Sequence, residues 1–133
     1  MIRAYRGWLF FDESSVMSLC SMYRWKKQGN RSHLLPIEDS WGRGLHACKT
    51  LEFFLGGYAY LTWDVVGEVL LYGKIIEGEY GYQAERADIS AFFDLTGKSN
   101  RFRKVDIRKL ADNYGVPLIH VDEVRFNKWK EEQ

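Results

Sequence analysis

Residues 65–89, "VVGEVLLYGKIIEGEYGYQAERADI", constrain the fold of this chain more than any other stretch. Val65, Val66, Val69, Leu70, Leu71, Ile75 and Ile76 are strand formers, with Gly67, Gly73, Gly78 and Gly81 as punctuation. β-branched and aromatic runs broken by glycine predict antiparallel strands with turns or bulges at the glycines. Two or three strands fit this span.

The flanking segments extend the pattern. "IRAYRGWLFF" (2–11) is rich in aromatic and branched residues and reads as a first strand. "MSLCSMYRW" (17–25) alternates apolar with small or polar residues and reads as a second. Residues 26–40 are polar, contain Gly29, Asn30 and Pro36, and read as a surface loop long enough to cover a site. "GLHAC" (44–48) is a short strand, and Thr50 can cap a short helix through Leu51, Phe53, Phe54 and Leu55. "DIRKLADNYG" (106–115) is the best helix. Asp106 caps it, Ile107, Leu110, Ala111 and Tyr114 share one face, and Gly115 ahead of Val116-Pro117 stops it. "PLIHV" (117–121) reads as a strand and 122–133 as a charged, helical tail. Antiparallel strands with a few short helices predict an α+β domain with a split antiparallel sheet, spanning 1–133 without internal boundary.

Composition narrows the function classes. Of 133 residues, 46% are hydrophobic and 28% charged, a globular balance, and no run of 18 apolar residues is present. The first residues lack a signal peptide's pattern, so a cytoplasmic protein without membrane association is expected. A net charge of +1 advertises no polyanionic partner. One cluster, "GKSNRFRKVDIRK" (97–109), is basic and suits either a solvated loop or phosphate contacts through 101–104. Cys20 and Cys48 lie too far apart for a zinc motif and read as free thiols. His33, His46 and His120 are scattered, so no metal site is expected. His46 and Cys48 do not form a dyad by adjacency, and no phosphate-binding glycine loop occurs.

A distributed set of short motifs carries a resemblance. "YRG" (5–7), "GRGLHACKTLEFFLGGYAY" (42–60), "VVGEVLLYGKI" (65–75) and the Q-x-E of Gln83-Ala84-Glu85 occur in this order. The chain thereby resembles the ADP-ribosyltransferase superfamily. Its poly(ADP-ribose) polymerase branch has runs like "GKGIYFA" and "LLGEVALGNMY" in the same order. Its arginine-dependent branch has an early "YRG" and a late Q-x-E, although the Ser-Thr-Ser strand of that branch has no counterpart here. The chain is also similar, over 42–117, to small bacterial and phage proteins with "GIYA", "GEVxLWGxVVEHExGYRAE" and "YGVP".

The resemblance implies an ADP-ribosyltransferase-like fold and NAD as substrate. Glu85 would stabilise the positive charge that develops on the ribose, and Gln83 would orient the acceptor. Arg6 would hold a diphosphate oxygen, Gly7 would admit the nicotinamide amide, and His46 would pack on the nicotinamide ring. Tyr58 and Tyr60 would be further stacking partners. ADP-ribose would pass to a host protein or nucleic acid. A different class of function fits the same aromatic content (16%): a phage or mobile-element protein that binds and blocks a host factor without catalysis. The enzyme requires Glu85, Arg6 and His46 to converge on one cleft, whereas the blocker requires exposed aromatic surface.

Overall fold

A computed structural model describes residues 1–12, 14–18, 23–31, 45–51, 54, 63–94 and 106–121. Seven strands and one helix are defined among them: β1 (Ile2–Asp12), β2 (Ser15–Met17), β3 (Asn30–Arg31), β4 (Leu45–Cys48), β5 (Val65–Glu77), β6 (Gly81–Asp94), α1 (Ile107–Tyr114) and β7 (Leu118–His120).

The expected α+β class is corrected. Among the described residues strand accounts for 62% and helix for 11%, with one helix defined, so the fold is all-β. The strand-forming run is longer than its glycines suggest. Gly67 lies inside β5 rather than at a turn, because its missing side chain lets the backbone pass under Trp8 and Phe92. β5 and β6 form one long hairpin that turns at 78–80, where the Gly78 N–H donates to the Gly81 carbonyl at 2.8 Å. Gly73, at φ +78°, marks the irregularity between Tyr72 and Ile75, a backbone state that glycine adopts without strain. The expected helix over 51–55 and the helical tail over 122–133 fall largely or wholly outside the described residues.

The antiparallel pairings close on themselves. β1 pairs with β5, β5 with β6, β6 with β4, and β4 returns to β1 at Tyr5↔Cys48. A sheet closed in this way hides strand edges inside a ring. β2 extends β1, β3 lies on β6 through Asn30↔Ala87, and β7 joins β6 in parallel at Phe92↔Leu118.

Period-two alternation divides the side chains between two cores. One face of the ring carries Ala4, Trp8, Leu45, Ala47, Val65, Val69, Ala84 and Phe92, all buried. The next residue along several of these strands (Tyr5, Cys48, Val66, Phe93) joins a second cluster with Leu51, Phe54 and Trp63. Ala4, Ala47, Ala84 and Ala87 share this cluster with Trp8, Trp25 and Phe92 and leave the large rings room. Trp8 meets both Trp25 and Phe92 edge-on, at 5.6 Å between centroids.

α1 follows its sequence signals. The Asp106 carboxylate accepts from the Lys109 N–H at 3.0 Å, and Gly115 ends the helix at φ 67°. Ile107, Leu110, Ala111 and Tyr114 face the first core. The buried Tyr114 hydroxyl donates to the Trp25 carbonyl at 2.6 Å and accepts from the Val16 N–H at 3.0 Å, which ties α1 to β2.

The expected loop over 26–40 begins differently from its composition. Asn30 is fully buried in β3, and its amide donates to the Lys26 and Ala87 carbonyls while its oxygen accepts from the Lys26 N–H and the Tyr23 hydroxyl. A polar residue with all these bonds met is as much core as a leucine. Residues 32–40 lie outside the described set.

Candidate functional site

The residues expected to bind a dinucleotide start on β1. Arg6 is half-buried on this strand. Its Nη1 donates to the His46 carbonyl at 2.6 Å, its Nη2 donates to Ser18 Oγ at 2.9 Å, and its guanidinium lies 4.7 Å from the centre of the Trp25 ring. Ser18 Oγ also accepts from the Trp25 indole N–H at 2.8 Å. Arg6 therefore links β1 to β4 and to the segment after β2. Both of its terminal nitrogens serve the fold, where the resemblance would direct them to a diphosphate.

Gly7 is buried beneath Trp63. A Cβ built on it would clash with the indole ring. The glycine admits a close approach, as expected, but the group that approaches is a side chain of the same protein.

His46 and Gln83 are register partners between β4 and β6, so the structure brings these two expected site residues side by side. Burial, and then the charge of Arg6, lower the His46 pKa from its ordinary value, so the imidazole is held neutral. Cys48, two residues along, is half-buried against the second core. Burial pushes its thiol up to about 11, against the opposing pull of Arg6, which makes it a poor nucleophile at neutral pH.

Glu85 is not drawn into this group. Its nearest charged partner is Arg86, the next residue on β6, at 3.6 Å, and it packs beside Gly73 in the irregular part of the hairpin. The inward alternation of β6 shifts by one between Ala84 and Ala87, which leaves Glu85 and Arg86 both partly exposed. Arg6 thus reaches the His46 backbone and His46 pairs with Gln83, and Glu85 takes part in neither contact. Tyr58 and Tyr60 lie outside the described residues. Among the described residues no cluster of His, Cys, Asp and Glu could hold a metal ion, and no helix is long and apolar enough to cross a membrane.

A different feature emerges at the tip of the β5–β6 hairpin. Tyr80 is 74% exposed, the most exposed large aromatic among the described residues. It is held on a fixed frame. Its carbonyl accepts from the Lys49 N–H at 3.0 Å, and Gly81 beside it allows the Ala47 backbone of β4 to pack closely. Glu77 and Glu79 flank it, and Lys49 pairs with Glu77 at 2.7 Å. Sequence reasoning passed over Tyr80 because it looked for convergent polar groups. The available signal was an aromatic residue inside a Gly-x-x-Gly turn, where no core lies within reach.

Compared with known protein families, curated proteins and solved structures, the chain matches none of them.

Proposed function

We propose that this chain is a non-catalytic binding module that engages a protein partner through the tip of its β5–β6 hairpin. The single observation that carries this reading is Tyr80, an aromatic side chain 74% exposed on a turn braced by β4. Exposed Tyr on a rigid frame is characteristic of interface anchors, because it offers large area at low ordering cost. The flanking Glu77 and Glu79 define the partner chemistry: an apolar slot edged by basic side chains. Lys49 neutralises Glu77, so Glu79 carries the remaining negative charge at the tip.

Binding of NAD or an ADP-ribose ligand, with transfer of ADP-ribose, rests on a different observation, the adjacency of Arg6, His46 and Gln83. It would require Arg6 to leave His46 and Ser18, and Trp63 to move off Gly7. The hairpin tip requires no such rearrangement, and we favour it for that reason.

The test is site-specific photo-crosslinking from position 80, followed by calorimetry of the purified crosslinked protein against wild type, Tyr80→Ala and Glu79→Lys. Loss of a central aromatic anchor is worth about 2 kcal/mol or more, roughly 30-fold in affinity. Glu79→Lys should weaken binding further at low salt. Equal affinity for wild type and Tyr80→Ala would remove the reading.

A further inference from the structure

The β-ring closes unevenly. β1 and β5 run together from Ile2↔Leu71 to Trp8↔Val65 without interruption, and β4 and β6 from Leu45↔Ala84 to Cys48↔Gly81. β1 and β4 meet at Tyr5↔Cys48 alone among the described residues. Past that pair β1 turns to β2, beginning at Leu9↔Met17, and the two strands are joined by a side chain. That side chain is Arg6, whose guanidinium reaches the His46 carbonyl at 2.6 Å and Ser18 Oγ at 2.9 Å.

A side-chain bridge differs from a backbone ladder. Its ordering removes several rotatable bonds' worth of freedom for two hydrogen bonds, and it does not propagate along the strand. The remaining three contacts of the ring are ladders of several pairs each. Local opening follows the weakest cooperative contact, here the one between β1 and β4.

We propose that the β1–β4 seam is a built-in opening point, with Arg6 as its latch. In the open form β4 stays on β6, with Lys49 still donating to the Tyr80 carbonyl, and the ring uncurls into an open sheet in the order β1-β5-β6-β4. The side chains uncovered are Leu45 and Ala47 on one face of β4 and Cys48 on the other. Cys48 is the reporter that the fold supplies. It is half-buried at the seam itself, opposite Tyr5, and its thiol becomes reactive when opening returns it to water.

The experiment uses the full chain with Cys20→Ser, which leaves one thiol, and follows the reaction of Cys48 with an aromatic disulfide reagent over a range of urea below the unfolding transition. Opening of the seam keeps the β1–β5, β5–β6 and β6–β4 ladders and so exposes less surface than global unfolding, and the labelling rate should depend on urea less steeply than global unfolding does. Arg6→Gln should speed labelling about 10-fold or more beyond any change in global stability, the scale of a single hydrogen bond to a charged group. Ser18→Ala, which removes one of the two partners and spares Arg6, should give a smaller acceleration and serves if Arg6→Gln does not fold. Labelling with the full urea dependence of global unfolding would overturn the proposal. So would a rate that neither variant alters.

Discussion

The indole of Trp63 occupies the space in which a side chain on residue 7 would stand, so Gly7 and Trp63 are fitted to one another. Gly7→Ala forces the ring to move within a packed cluster that includes Phe54, whose ring centre lies 5.9 Å from that of Trp63. Overpacking of this kind costs about 1–3 kcal/mol. The expected outcome is a loss of that size in urea unfolding. With Trp63→Ala in the background, the additional cost of Gly7→Ala should largely vanish, since the double substitution removes the clash.

Tyr114 provides a second test of the packing. Phenylalanine at this position keeps the ring against Phe92, 5.3 Å away between centroids. It leaves the Val16 N–H and the Trp25 carbonyl without their hydroxyl partner. Buried groups stranded in this way cost about 1–3 kcal/mol. Tyr114→Phe should therefore be destabilised by that amount, measured by chemical denaturation, with the far-UV signature of the β-sheet unchanged.

His46 gives a pH dependence with a definite sign. Its folded pKa lies below the ordinary imidazole value of 6.5, chiefly through burial and then through Arg6. Below 6.5 the unfolded chain binds a proton that the folded chain resists, so stability is full above that pH and falls as pH drops toward the folded pKa. Unfolding free energy should thus decline as pH falls below about 6.5, and His46→Gln should flatten that part of the profile. An unchanged slope in His46→Gln would assign the effect to other groups.

Gly73 sets the irregularity of the long hairpin. At φ +78°, with Glu85 Cβ 3.1 Å from where its own Cβ would stand, it resists any side chain. Gly73→Ala should cost about 1–2 kcal/mol from backbone conformation alone. Combining it with Glu85→Ala, which retains the Cβ, should leave most of that cost in place. Full recovery would show that the Glu85 carboxylate, rather than the backbone, sets the requirement.

Much of the local structure was legible in the sequence. Asp106 and Gly115 bounded α1 because capping is a contest between neighbouring residues, and the apolar positions between them marked its buried face. β1, β4 and the strand character of 65–89 were equally visible. Closure of the ring was not, since it depends on Tyr5↔Cys48, a pairing between residues 43 positions apart (48 − 5) that no local pattern encodes. Asn30 was read as loop because its polarity is legible while its four buried hydrogen-bonding partnerships are not. The same limit applies to the site. Residue types told that Arg6 could bind an anion and Gly7 could admit a close neighbour, and tertiary packing assigned those capacities to His46, Ser18 and Trp63.

The most direct measurement is an NMR titration of the amide-labelled chain with NAD up to millimolar concentration. If Arg6 and Gly7 belong to the fold and the binding surface is the hairpin tip, the amides of Arg6, Gly7, His46 and Gln83 show no saturable shift. Saturable shifts at those four residues, lost in His46→Ala, would contradict this and place a dinucleotide at the β1–β4 seam.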